Sequence, residues 1–333
     1  MALIDRAVSV VRRLNPLAIS RTSARVDELL VAVKDLQRSV DSLKARSDQL
    51  MALERAEWED REALAVLPST LDTERVRHWV ERNVSRAVLE MDPCPHVVVD
   101  KWLPPEVYRL MVDGLPPPLF FADRRESRQR LAVPFHMAPR YSKLVWQLIT
   151  RDVVSRIAGP AIAEKFRDVT REYIYSMCPD LPAEVNINLK ATNGHIMLRR
   201  PGYVINPHRD PKWGFVACLV YLARPGDNEA YGTQFYRVRD DGEAPHSSPH
   251  YVDEARCELV KSIPFRPNTL VLFLNSIGAH GASIPADAEP KNLERYLYQF
   301  RLALEPESRE AFLAHMTEEH RVRWRPSEVP IEY

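Results

Sequence analysis

From residue 185 onward the apolar residues fall at every second position. Val185, Ile187 and Leu189 alternate with Asn186, Asn188 and Lys190. On an extended chain a period of two sends one set of side chains to one face and the other set to the opposite face. Thr192-Asn193-Gly194 has the residue chemistry of a tight hairpin turn, and residues 195–200 are the predicted return strand. Further short strands are predicted at 215–222, 233–237, 258–263, 269–274 and 295–304, punctuated by Pro201-Gly202, a Gly/Asp/Asn loop at 226–228 and a polar loop at 240–250. No helical pattern alternates with these strands. That excludes a parallel sheet built of strand–helix units and leaves an antiparallel sandwich or jelly roll.

Helical patterns flank this core, so the expected class is mainly β with flanking helices. Residues 2–14 carry Leu3, Ile4, Val8, Val11 and Leu14 among three arginines and stop at Asn15-Pro16, a short amphipathic helix. Such a helix serves on a partner, on the body of the protein or on a membrane surface. Residues 24–56 differ. Val26, Val33 and Val40 repeat every seven, and Leu29, Leu36, Leu43 and Leu50 follow three positions after each a site. Val at a with Leu at d favours a parallel two-stranded coiled coil. The expected partner is therefore a second copy of the chain, paired through residues 24–56. The seam weakens at Ser47 and Glu54, the last a positions.

A helical connector runs through Val76, Trp79, Val80 and Val84, capped by Thr70 or Asp72. The body opens near Pro93 with a strand at 96–100 and a helix starting at Pro104-Pro105. Residues 122–141 are rich in arginine and lack periodicity, which predicts a long loop of the lid or binding kind. Its arginines are expected to be solvated, with a slight lean towards an anionic substrate. A helical stretch at 143–166 is expected to break at Gly159-Pro160, and one charged helix follows Pro306. The domain boundaries read this way are 1–70 for the N-terminal helices, 71–92 for the connector, 93–305 for the β domain and 306–333 for the C-terminal helix and tail.

Lys+Arg and Asp+Glu are equal at 46 each, so the basic excess of a nucleic-acid binder is missing. No apolar run is long enough to span a bilayer, and the first residues make a poor secretory signal. The four cysteines are scattered without a Cys-x-x-Cys pair, which argues against a zinc ribbon and fits a reducing, cytoplasmic setting. Cys218 falls in an apolar strand and is expected to be a buried thiol.

The chemistry concentrates in Asn206-Pro-His208-Arg-Asp210. His208 and Asp210 stand at i and i+2, which on a strand converge on one face. The run Leu270-Val-Leu-Phe-Leu-Asn-Ser-Ile-Gly-Ala-His280 ends a later apolar stretch in a second histidine. Two imidazoles and a carboxylate on one side of a metal are the facial triad of non-haem Fe(II) oxygenases. Arg295 opens the final strand, and Arg301 shares its parity as the reserve candidate. A planar guanidinium there can grip a carboxylate through two parallel hydrogen bonds.

With these parts in place the chain resembles the Fe(II)/2-oxoglutarate-dependent dioxygenase superfamily, in particular its prolyl-hydroxylase-like members. His208-Arg-Asp210, the distal His280 followed by Gly, and the later arginine carry the likeness. Gly232-Thr-Gln-Phe-Tyr236, Pro267-Asn-Thr-Leu-Val-Leu-Phe273 and Pro95-His-Val-Val-Val-Asp-Lys-Trp-Leu-Pro-Pro-Glu106 extend it across residues 93–305. The gap from His280 to Arg295 is longer than the family usually shows. The resemblance implies a double-stranded β-helix core. It also implies His208, Asp210 and His280 as ligands of Fe(II), and Arg295 as the residue that binds the far carboxylate of 2-oxoglutarate. Tyr203 and Asn188 are candidates for further hydrogen bonds to the cosubstrate. O2 would be the co-reactant, succinate and CO2 the products, and hydroxylation the favoured outcome because Asp210 is present. The alternative from another class is a non-catalytic jelly-roll sensing or scaffold module oligomerised by its coiled coil. Trp213 is a candidate substrate contact.

Overall fold

Most of the predicted strands form, and they assemble into two sheets. A computed structural model describes residues 16–59, 73–121, 126–210, 214–239, 250–275, 277–316, 318 and 321. The predicted helix at 2–14, Trp213 and the end of the chain lie outside the described residues. The chain divides into two units, Met1–Ala56 and Glu57–Tyr333.

In the first unit, α1 (Pro16–Glu59) is an unbroken helix. Its predicted seam residues from Leu29 to Leu50 are exposed in the single chain, with Leu29 and Leu36 at 65% and Leu43 at 64%. Among the described residues no helix is long and apolar enough to cross a membrane.

In the second unit, α2 (Thr73–Arg86) leads to β1 (His96–Asp100), α3 (Pro105–Asp113) and β2 (Arg128–Ala132). Next come α4 (Arg140–Leu148), a π-helical segment Ile149–Ala158, α5 (Gly159–Lys165) and α6 (Arg167–Met177). The β region follows as β3 (Leu189–Ala191), β4 (His195–Arg199), β5 (Val204–Arg209), β6 (Gly214–Tyr221), β7 (Thr233–Val238) and β8 (His250–Tyr251). It closes with β9 (Cys257–Ile263), β10 (Thr269–Leu274), β11 (Ala279–Ser283), β12 (Arg295–Leu304) and then α7 (Pro306–Ala314).

These strands form two sheets of antiparallel pairs. The larger has seven strands in the order β1-β10-β6-β12-β4-β2, with β3 also paired to β12, and the smaller has five in the order β8-β5-β11-β7-β9. Along β12, Tyr296, Tyr298, Phe300 and Leu302 join one core with residues of the helices, among them Val80, Trp146, Ile162 and Phe312. Leu297, on the alternate parity, joins a second core with Leu219, Tyr221, Phe235, Phe265 and Phe273, drawn from both sheets. The larger sheet is thus covered by helices on its outer face and closes over the smaller sheet on its inner face. This is the jelly-roll-like arrangement expected from the alternation.

Three local expectations need correction. The segment 122–141 is not one loop, because Arg128–Ala132 pairs with β4 as the edge strand of the larger sheet. Its arginines hide the strand pattern because they sit where apolar residues would mark it. Gly159-Pro160 does not break the helical stretch. Pro160 falls in the first turn of α5, where its missing N–H costs little, and Gly159 keeps right-handed helical dihedrals. The ladder at 185–191 is also shorter than the alternation suggested, since pairing with β12 begins only at Leu189.

Candidate active site

Two histidines from adjacent strands meet at the centre of the site. His208 on β5 is the direct cross-strand partner of His280 on β11. Paired residues of an antiparallel ladder project to the same side, and the ring centroids are 4.2 Å apart. Asp210 follows β5 with the parity of His208, and its Oδ1 lies 3.6 Å from His208 Nε2. Ligand-capable atoms of His208, Asp210 and His280 all lie within 4.8 Å of one another, and all three residues are buried. Among the described residues this is the one such cluster. His195 and His315 stand outside it.

The donors are also set chemically. His208 Nδ1 is 2.9 Å from the Asn206 carbonyl oxygen. With the ring proton donated there, Nε2 keeps its lone pair and faces the cluster. Burial, followed by the neighbouring His208, pushes His280 down to about 3 against the pull of Asp210. At neutral pH that imidazole is uncharged and able to ligate. Burial works against charge on Asp210 too, but Arg301 and the two histidines outweigh it and hold the carboxyl well below its usual range.

The outer oxygen of Asp210 is occupied. Arg301 Nη2 donates to Oδ2 at 2.8 Å and Gln299 Nε2 at 3.2 Å. Both come from the inner face of β12, so the larger sheet reaches across to a carboxylate that follows a strand of the smaller one. Gly214 makes room for this reach, since a Cβ there would lie 2.3 Å from Arg301 Cδ. On the other side, Arg209 Nε donates to the Gly278 carbonyl at 2.7 Å. Gly278 takes φ +64°, a turn conformation suited to glycine, two residues before His280.

Arg295 and Arg301, the two candidates on the last strand, therefore separate. Arg301 is engaged with Asp210, whereas Arg295 has no carboxylate partner among the described residues. Arg295 is 3% exposed. Its guanidinium lies over the Phe265 ring at 4.6 Å and the Tyr221 ring at 5.6 Å, and its Nε lacks a hydrogen-bond partner. Burial lowers its pKa, with Tyr221 opposing. The Tyr221 hydroxyl donates to Thr233 Oγ1 at 2.7 Å. His208, Asp210 and His280 share one cavity of about 230 Å³ with Arg295 and Thr233. Tyr203 is buried in its wall, its ring 4.7 Å beneath the Arg199 guanidinium. Asn188 is elsewhere, accepting at its backbone oxygen from Glu305 N next to α7.

The sequence pattern missed several lining residues. Tyr221 and Thr233 looked like ordinary strand residues. Arg199 stood in a Leu-Arg-Arg strand end with nothing to show that it turns inward. Arg128 and Arg130 line the cavity rather than a solvated loop. Their even spacing was the available signal, visible only once that segment is taken as a strand.

No protein-family model matches the chain, and no curated protein matches it. Solved structures do. One is a prolyl-4-hydroxylase from Pseudomonas putida, 12% identical, with 68% of this chain and 97% of that chain covered and a TM-score of 0.36. Another is a 2OG-Fe(II) oxygenase family oxidoreductase from Burkholderia pseudomallei, 11% identical over 62% of this chain and 84% of that one, with a TM-score of 0.33. A third is HygX from Streptomyces hygroscopicus, with nickel and 2-oxoglutarate bound, 12% identical over 62% and 82%, with a TM-score of 0.35.

Proposed function

We propose that the protein is an Fe(II)- and 2-oxoglutarate-dependent oxygenase that hydroxylates its substrate and releases succinate and CO2. The observation that carries this reading is the cross-strand pair of His208 and His280 closed by Asp210, with ligand atoms within 4.8 Å. The donor set suits the ion. Two imidazoles and one carboxylate leave coordination positions open for a keto acid and O2. An Nε2 freed by the Asn206 contact and a carboxylate whose other oxygen is already held by Arg301 fit the same purpose. Iron with 2-oxoglutarate and O2 would supply the oxidising chemistry when bound.

The rest belongs to the chain. His208, Asp210 and His280 hold the ion. Arg295, aided by the Thr233 and Tyr221 hydroxyls, receives the far carboxylate of 2-oxoglutarate. The Phe265 and Tyr221 rings under that guanidinium exclude water and strengthen its grip. Tyr203 closes the wall beside it. Arg301 and Gln299 keep Asp210 ionised and oriented.

The enzyme works as a dimer through a parallel coiled coil of residues 24–56. The exposed apolar row on α1 at seven-residue spacing supports this, because a partner helix covers such a row. Four free thiols fit a cytoplasmic setting.

The test is direct. Purified protein given Fe(II), 2-oxoglutarate and O2 is expected to form succinate. Under anaerobic conditions it should show a weak visible charge-transfer band. His208→Ala should lose the band, the succinate and stoichiometric iron together. Undiminished turnover in that variant refutes the assignment.

A further inference from the structure

Three arginines from three strands stand side by side. Arg295 on β12 is the register partner of Arg199 on β4, and Arg199 is in turn the partner of Arg128 on β2. Register partners share a face, and all three line the same cavity as the histidines and Asp210. At about 5 Å between neighbouring strands, the row runs roughly 10 Å from Arg295 to Arg128. Each of the three has an Nε buried without a hydrogen-bond partner.

We propose that Arg128 and Arg199 form a second anion-binding locus, which holds a carboxylate or phosphate group of the primary substrate next to the metal. This rests on the reading above, in which Arg295 takes the far carboxylate of 2-oxoglutarate. Arg199 is 5% exposed. It is oriented by groups that do not neutralise it. Nη1 donates to the Gln129 and Leu198 carbonyls at 2.6 and 3.2 Å, and Nη2 to Met197 Sδ at 2.9 Å. The Tyr203 ring supports its face. Arginine cannot shed its proton to escape burial as lysine can. A buried guanidinium without a counter-charge is costly, and a ligand carboxylate or phosphate that binds it removes that cost.

The other charges of the cavity do not serve this purpose. Among the described residues Asp210 is the one acidic residue of the lining, and its outer oxygen belongs to Arg301. The keto acid has its two carboxylates committed, one at the metal end and one at Arg295, so it has none left for Arg199. A further anion must come from another molecule. Arg128 lies on the edge strand β2 and is half-buried, so the far end of the row is the open one. A substrate can enter there with its anionic group leading and leave its reacting carbon towards the metal.

The experiment is calorimetry on the full-length protein loaded with Mn(II) and saturated with 2-oxoglutarate, titrated with inorganic phosphate in one arm and acetate in the other. Binding of either anion without release of 2-oxoglutarate is expected, and the tighter one identifies the group. Arg128→Gln should weaken that binding by about tenfold or more, as loss of a charge-assisted contact does, while leaving affinity for 2-oxoglutarate within about twofold. Arg295→Gln should do the reverse. Arg199→Gln should match Arg128→Gln. If it fails to fold, the exposed-edge variant alone decides. Should the protein bind no Mn(II) or 2-oxoglutarate, the proposed function fails, but Arg128-dependent anion binding to the same protein still supports the locus. The proposal is overturned if folded wild-type protein binds neither anion, if Arg128→Gln binds them unchanged, or if the anions act only by displacing 2-oxoglutarate.

Discussion

At the scale of single residues, the site depends on how Asp210 is kept charged in a buried place. Its two oxygens have separate tasks: Oδ1 faces His208, and Oδ2 takes the hydrogen bonds of Arg301 and Gln299. Removing one partner of a buried pair leaves the other uncompensated, at about 3–5 kcal/mol. Arg301→Met is therefore expected to lower stability in urea by a few kcal/mol, readable on the metal-free protein, and to weaken divalent-metal binding in a titration. A third buried histidine, His96, sets an acid limit away from the cluster of His208, Asp210 and His280. Its Nδ1 donates to the Cys94 carbonyl at 2.8 Å, and its Nε2 lies 3.1 Å from Lys261 Nζ. Burial first, and then Lys261, lower its pKa, against the hydrogen bond to the Cys94 carbonyl and the pull of Glu90 and Asp92. A lowered folded pKa means that the unfolded chain takes up the proton first as the pH falls. Stability from this group is complete above the ordinary histidine range and declines below it. His96→Gln should thus flatten the loss of thermal stability between neutral pH and pH 5; an unchanged slope counts against the assignment.

At the scale of elements, β12 is the strand on which the site turns. One parity, Tyr296 to Leu302, packs under the helices, and the other, Arg295 to Arg301, faces the cavity. One strand thereby supplies both the anchoring of the larger sheet and the charges of the site. Its neighbour β6 begins at Gly214, where Arg301 needs space. Gly214→Ala is expected to displace Arg301 and to weaken metal binding in the same direction as Arg301→Met, in a metal titration. Normal metal affinity would show that Arg301 does not steady the ligand. Sequence pattern located β12, β6 and β10 because both of their faces are buried, and long apolar runs between turn residues have few alternatives. It missed β2, since an edge strand carrying Arg128 and Arg130 to a cavity lacks the apolar signal. The helical break expected at Gly159-Pro160 failed for a related reason, because tertiary packing keeps Gly159 helical and buried.

At the scale of the whole molecule, the heptad row of α1 and the β domain were legible separately, and they fall in the two units of the chain. Residues 57–333 are expected to fold and keep the metal site when expressed without the first unit. They should scatter light as a monomer, while the full chain scatters as a dimer. The same number of copies in both would remove the coiled-coil dimer and leave the oxygenase reading untouched.

The sequence by itself determined what depends on a few consecutive residues. These are the alternation that makes strands, the seven-residue repeat of α1, and the spacing that sets His208 and Asp210 on one face. Strand geometry links such positions without help from the rest of the chain. Only the tertiary structure decided which arginine serves which charge. Arg301 meets Asp210 across 91 residues, and Arg199 meets the Gln129 carbonyl across 70. Those meetings follow from strand order and register, which no local pattern encodes, and a shift of one residue would turn every one of these side chains to the other face.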